Sequence, residues 1–382
     1  MLGGPGGPQK EITMALDPWL KRTFGQETPG NTTVDEVLFS SDSHVIEPKG
    51  LWQRELPTAL RDQAPDFGGG RPDDVKNPGA TAKTERVNEM AADGVSGEVL
   101  YPTWGLKVMS LDDPEIEAAC VRVYNDWLID YCQAAPDRLL GLALLSVYNV
   151  ERAVQELERC RKAGLRGAVI WQVPHPDLPF TSDHYEPLWA AAQDLEAPVS
   201  LHILSGHGYK KNPGQLVGSS SITMKLTQAI DSLHDLIYSG VLERYPRLKV
   251  VLAENEIGWL PFVLEQWDYY IFKGQKFFDR NEPNLRLLPS EYFFRQVYAT
   301  FFNDAAGAHT LSWWGADNCM WSSDFPHSNS TWPHSREVVA RDLGPLPAAT
   351  RAKIVRENVA KLYGVPIPEP FRAPAEPAGV AR

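Results

Sequence analysis

Eight short apolar runs, separated by stretches with helical periodicity, constrain the fold of this chain more than any other feature. They are Val37–Ser41, Gly97–Tyr101, Leu139–Leu145, Gly167–Trp171, Val199–Ile203, Lys249–Ala253, Gln296–Thr300 and Cys319–Ser323. Between most of them lie helical stretches: Pro114–Ala134, Val150–Ala163, Tyr185–Leu195 and a longer one from about Ser221 to Tyr245. A last helix, Ala349–Tyr363, meets a stop at Gly364 and Pro366. Short apolar strands alternating with helix-length spacers are the pattern of βα units around a parallel sheet. Eight such units predict an α/β fold, a (β/α)8 TIM barrel, whose functional residues stand at the C-terminal strand ends. A doubly wound sheet is the competing architecture, but no G-x-G-x-x-G follows the first strand.

The barrel is expected over residues 37–366, with residues 1–36 as an N-terminal arm and 367–382 as a Pro- and Ala-rich C-terminal tail. The arm is expected to pack on the body or on a partner subunit, with a short helix near Leu16–Arg22. Residues 50–85, weakly patterned, read as an insertion after strand one that covers the barrel mouth.

The chain carries a formal net charge of −12 over 382 residues, with no basic run, which argues against nucleic acid or an anionic membrane surface as a partner. No segment approaches the roughly 18 apolar residues of a membrane span, and the first ten residues lack the pattern of a signal peptide. Four cysteines, Cys120, Cys132, Cys160 and Cys319, contain no C-x-x-C pair. They read as buried thiols of a reducing compartment, and a cytoplasmic protein is expected.

The first strand leads into Asp42-Ser43-His44. Side chains alternate along a strand, so a carboxylate and an imidazole at i and i+2 share one face. The fifth strand ends in His202 and the eighth in Asp324. Barrel closure brings strands one and eight together, so two imidazoles and two carboxylates converge. That donor set suits Zn2+ or Mn2+. Each residue also has a structural reading, as a hydrogen-bonded histidine or a turn-forming aspartate, but their coincidence at three strand ends favours a metal.

Four segments resemble one family: Asp42-Ser43-His44-Val45-Ile46-Glu47-Pro48, Glu98-Val99-Leu100-Tyr101-Pro102-Thr103, Ser200-Leu201-His202 and Ser323-Asp324-Phe325-Pro326-His327. With the ending Arg356-Glu357-Asn358-Val359-Ala360-Lys361-Leu362-Tyr363-Gly364, the chain from about 37 to 366 resembles the amidohydrolase-2 branch of the amidohydrolase superfamily, the aminocarboxymuconate-semialdehyde decarboxylase-like enzymes. The resemblance implies one divalent metal held by Asp42, His44, His202 and Asp324. Asp42 stands where relatives usually place His or Glu. Binuclear members use a lysine on strand four, and here that strand ends Ile170-Trp171-Gln172. Relatives that decarboxylate carry a histidine at the end of strand six, where this chain has Asn255. Asn can hydrogen-bond a substrate but cannot act as a base, which leaves Glu254 or Glu256 to move a proton.

The catalytic candidates are therefore Asp324, Glu254 and His327. His327 is placed in the loop that follows strand eight. Substrate contacts are expected from Asn255, from His207 on the loop after strand five, and from Trp104, with Tyr209 and Trp332 as further walls of an apolar mouth. His175 has a route to the mouth; Glu47 is a candidate neighbour of the metal ligands; His234 and His309 read as structural. The implied reaction is non-oxidative decarboxylation of an aromatic or unsaturated carboxylic acid. The alternative is hydrolysis of an amide, ester, lactone or activated C–C bond by a metal-activated water. Partners are a small-molecule substrate and further copies of the chain, as a homodimer or homotetramer.

Overall fold

The computed structural model describes residues 32–67, 77–207, 221–278, 280–302 and 304–367. The expected helix near residues 16–22, Tyr209 and nearly all of the C-terminal tail lie outside them. Eight strands, β1 (Leu38–Val45), β2 (Val95–Pro102), β3 (Leu139–Leu144), β4 (Gly167–Val173), β5 (Val199–Gly206), β6 (Val250–Ala253), β7 (Val297–Phe301) and β8 (Cys319–Trp321), pair in chain order. Every pairing is parallel. The seam between β8 and β1 is closed by hydrogen bonds: Asp324 N donates to Asp42 O (3.0 Å) and His44 N to Phe325 O (2.6 Å). Ser41 Oγ adds a bond to Trp321 O at 2.8 Å. The fold is the expected (β/α)8 barrel.

The strands are buried on both faces, as continuous apolar runs in a parallel barrel require. Local signals start the helices around them. Asp113 accepts from Glu115 N and Ile116 N ahead of helix Pro114–Cys132, with Pro114 in the first turn. Asn149 caps helix Val150–Lys162 in the same way.

Three departures from expectation have local causes. The long helix expected from Ser221 to Tyr245 is two, Ser221–Tyr238 and Val241–Arg244, because Gly240 takes φ +82 between them. The last helix contains a π turn at Lys353–Glu357, just before Asn358, whose side-chain amide holds Ala316 O and Cys319 O. β1 also runs four residues past its apolar stretch, so Asp42 and His44 lie inside the strand.

The insertion carries short helices at Leu51–Glu55, Thr58–Gln63 and Pro78–Ala80, then helix Lys83–Asp93 leading into β2. The end of the arm is tied down: Arg336 Nη1 donates to Val34 O and Glu36 O, and Arg351 pairs with Glu36. Among the described residues no helix is long and apolar enough to cross a membrane, and all four cysteines are free and buried.

Candidate metal centre

Asp42, His44, His202 and Asp324 come together at the C-terminal end of the barrel, all fully buried. His44 Nε2 lies 3.5 Å from Asp42 Oδ1 and 3.5 Å from Asp324 Oδ1. His202 Nε2 lies 3.7 Å from Asp42 Oδ1. The other ring nitrogens are anchored, His44 Nδ1 on Pro102 O (2.8 Å) and His202 Nδ1 on Ile203 O (2.7 Å). A carbonyl only accepts, so each Nδ1 carries a proton, and in the neutral ring each Nε2 presents a lone pair to the shared space. Asp42 Oδ2 is held by Thr300 Oγ1 at 3.2 Å.

Within this cluster, four buried atoms have no hydrogen-bond partner among the described residues: Asp42 Oδ1, His44 Nε2, His202 Nε2 and Asp324 Oδ2. All four are acceptors, and leaving each buried alone costs about 1–3 kcal/mol. A cation between them resolves this. Donors about 2.1 Å from a tetrahedrally coordinated ion stand ~3.4 Å from one another, close to the spacings here. These residues fit one divalent ion.

Glu254 and His327 complete the cluster. Glu254 Oε2 is 3.6 Å from His202 Nε2. His327 Nδ1 meets Asp324 Oδ1 at 2.8 Å, its Nε2 meets Thr103 Oγ1 at 3.2 Å, and its ring lies 4.0 Å from that of His44. Glu254 and Asp324 both take φ +54, in the left-handed region that non-glycine residues rarely occupy. Such strain persists only where the surroundings fix it, and here it turns two carboxylates into the barrel mouth.

The charges conflict in the way a cation would relieve. Burial raises the Asp42 carboxyl above the usual range, against the pull of His202. Burial and then the Asp324 charge push Glu254 up to about 8. Burial, with the charge of His327, holds His44 well below its ordinary value. Burial also pulls His202 down, but Asp42 more than reverses this and leaves it at about 9.

The three expected substrate contacts lie outside this cluster. Asn255 donates its side-chain NH2 to Gln172 Oε1 (2.9 Å), Ala253 O (2.9 Å) and Leu201 O (3.3 Å), which holds it in the barrel wall. His207 joins Tyr148, Trp171 and His175, with its Nε2 3.0 Å from Tyr148 OH. Trp104 and Phe67 lie with nearly parallel rings, centroids 6.4 Å apart, in a cavity beyond the end of β1. Glu47 accepts from Trp104 N (2.9 Å) and Gly105 N (2.8 Å), and burial lifts it to about 7. Trp332 bonds Glu89 O. His234 stacks on Tyr238 at the surface.

Sequence reasoning missed Arg86. It is fully buried, reaches from the insertion helix to Glu98 Oε2 (2.6 Å) and His44 O (2.7 Å), and covers the Phe325 ring at 4.5 Å. One arginine on an amphipathic helix gives no signal of this. Thr300 was also missed. It bridges β1 and β6 by donating to Asp42 and accepting from Glu254 N.

Fold and donors together define a (β/α)8 metalloenzyme, with its centre at the C-terminal strand ends where barrels of this class work. The Amidohydrolase family model matches residues 105–365, and the chain belongs to that family. It is 25% identical over 342 residues to the gamma-resorcylate decarboxylase of Rhizobium radiobacter, covering 81% of this chain and 95% of the relative. It is 27% identical over 191 residues to the 2-amino-3-carboxymuconate-6-semialdehyde decarboxylase of Dictyostelium discoideum, covering 47% and 49%. The fold matches that of 5-carboxyvanillate decarboxylase from Sphingomonas paucimobilis with a TM-score of 0.66, at 22% identity, over 86% of this chain and 99% of that one. It also matches the manganese-bound 5-carboxyvanillate decarboxylase of Novosphingobium aromaticivorans, with a TM-score of 0.70 at 20% identity over 88% and 99%.

Proposed function

We propose that this protein is a metal-dependent, non-oxidative decarboxylase of a hydroxylated aromatic carboxylic acid. The observation that carries the reading is the set of four unsatisfied buried donor atoms beside a paired carboxylic acid and imidazole. Relatives that decarboxylate gamma-resorcylate and carboxymuconate semialdehyde support it.

Asp42, His44, His202 and Asp324 would hold the ion, and a manganese-bound structural neighbour favours Mn2+ over Zn2+. When bound, a divalent ion supplies positive charge that orients a substrate oxygen and favours its ionised form. The chain's own residues then handle the proton. Asp324 holds it at its carboxyl, oriented by His327 Nδ1 on Oδ1, and delivers it to the ring carbon that bears the carboxylate. The C–C bond breaks, its electron pair returns to the ring, and CO2 leaves. His327, held by Thr103 at its far nitrogen, positions Asp324 and can pass it the next proton. Glu254 faces the same space from the β6 side and is a second group able to hold one. Burial of the whole cluster keeps bulk water from competing.

The exposed aromatic face of helix Leu260–Phe278, with Phe262 66% and Tyr270 65% accessible, supports assembly as a homodimer or homotetramer. Four buried free thiols support a cytoplasmic setting.

The test is CO2 release by Mn2+-loaded enzyme from a panel of hydroxybenzoates, run beside small esters, amides and lactones. At least one hydroxybenzoate is expected to lose CO2, and His202→Ala to lose metal and activity together. Hydrolysis of the esters or lactones, with no CO2 from any aromatic acid, would overturn the reading.

A further inference from the structure

A cavity of about 630 Å³ opens at the end of the barrel opposite the donor cluster. Its walls come from the residues just before β4 to β8, such as Arg166, Pro198, Lys249, Arg295 and Asn318, and from the last helix at Lys361 to Gly364. Six cationic side chains line it (Arg161, Arg166, Arg247, Lys249, Arg295 and Lys361) against two anionic ones, Glu196 and Asp317. In a chain of net charge −12 this is a strong local reversal of sign.

The cations are oriented but mostly not neutralised. Arg161 places its N–H groups on the carbonyls of Leu165, Arg166 and Leu195. Lys249 Nζ donates to Arg295 O, and Arg295 in turn to Leu242 O and Gln296 Oε1. Carbonyls fix direction without cancelling charge. Asp317, one of the two wall carboxylates, is engaged by Lys353, which is not part of the wall. Among the described residues Arg247 alone of the six has a close carboxylate, Asp194 at 2.7 Å, while Arg166 stands 3.7 Å from Asp137 and leaves its Nε without a partner.

The crowding has an energetic signature. Burial, then Lys361 and Arg295, hold the Lys249 ammonium below its ordinary value, and burial with Arg166 does the same to Arg161 against the opposing pull of Glu196. Like charges gathered around a concavity with aromatic sides at Phe294 and Tyr298 repel one another until an anion enters, and a concave low-dielectric wall concentrates that field. An ordinary solvated surface would disperse them.

We propose that this pocket is a binding site for a small multivalent oxyanion, bearing either phosphate or several carboxylates. The site is separate from the metal centre, and the proposal does not depend on which reaction that centre performs. Arginine forks and lysine points together match such a ligand, and binding should weaken as salt rises.

The experiment is isothermal titration of the metal-loaded protein with inorganic phosphate and, separately, with propane-1,2,3-tricarboxylate. Three proteins are compared: wild type, Lys361→Glu in the wall, and Lys162→Glu, an exposed lysine outside it. One or both probes are expected to bind at one site per chain, and the tighter identifies the group recognised. Lys361→Glu should weaken that binding about tenfold or more, and Lys162→Glu should leave it within a factor of two. No saturable binding of either probe, or equal binding by all three proteins, would overturn the proposal; the second result would place the anion at the metal centre instead.

Discussion

Replacing Arg86 by methionine keeps the bulk of the side chain and removes its charge from a fully buried ion pair. Arg86 Nε lies 2.6 Å from Glu98 Oε2, with side-chain exposures of 0% and 3%. At an effective dielectric of about 20 the gross attraction at that distance is roughly 6 kcal/mol. Desolvation of both ions cancels part of it, and breaking such a pair costs about 3–5 kcal/mol because the surviving charge stays buried. Among the described residues, the Glu98 carboxylate would then keep a 3.3 Å contact from Ser43 Oγ. Loss of the 2.7 Å bond to His44 O adds about 1.5 kcal/mol. The expected destabilisation is about 4.5–6.5 kcal/mol, a large share of the ~5–15 kcal/mol that holds a domain folded. Urea unfolding followed by tryptophan fluorescence measures it. Arg86→Met/Glu98→Leu should recover most of the loss, giving a coupling of about 3 kcal/mol, since no charge is then left alone. Metal affinity should fall in the single variant, because Arg86 braces the strand that carries His44. A cost below about 1 kcal/mol, or a double variant as unstable as the two single losses summed, would refute the reasoning.

Two further predictions concern buried polar groups. Burial lifts the Glu117 carboxyl to about 8 despite the Ser146 hydroxyl, against about 4.3 when unfolded. The native state therefore binds the extra proton between those values, so its contribution makes stability fall as pH rises from about 4.5 through 8. Glu117→Gln should remove up to ~1.4 kcal/mol per pH unit of that slope; parallel stability-against-pH curves for variant and wild type would count against the assignment. Thr300→Val removes the donor to Asp42 Oδ2 and the acceptor of Glu254 N. It should cost about 1–3 kcal/mol and weaken Mn2+ binding some 10- to 100-fold, read by metal titration. Unchanged metal affinity would show that Thr300 does not orient Asp42.

The clustering of Asp42, His44, His202 and Asp324 was legible because each member sits beside a strand whose character is local. Asp42 and His44 follow an apolar run at i and i+2, and His202 and Asp324 terminate two others, so strand periodicity and barrel closure were enough to bring them together. The supports were not legible. Arg86 and Glu98 are twelve residues apart in sequence, and neither position shows that one neutralises the other inside the core. The strained backbone at Glu254 and Asp324 is likewise imposed by neighbouring strands, since neither residue favours φ +54 by itself. Asn255 was half legible. Its place after β6 is visible in the sequence, but that Gln172 Oε1 and two backbone oxygens take its NH2 while its Oδ1 has no partner among the described residues is decided by the fold.

Alternating apolar runs and helical spacers, being local, determined the eight-stranded barrel and the end at which Asp42, His44, His202 and Asp324 gather. Side-chain order along a chain says nothing about which charges will face one another across strand ends. The sequence has no basic cluster, and its net charge of −12 gives no hint of a concentrated positive site. Yet winding five consecutive βα units into a closed barrel gathers residues from positions 161 to 361 around one cavity and places six cations there. Coulomb forces depend on distance in space, so that concentration of charge exists only in the folded protein.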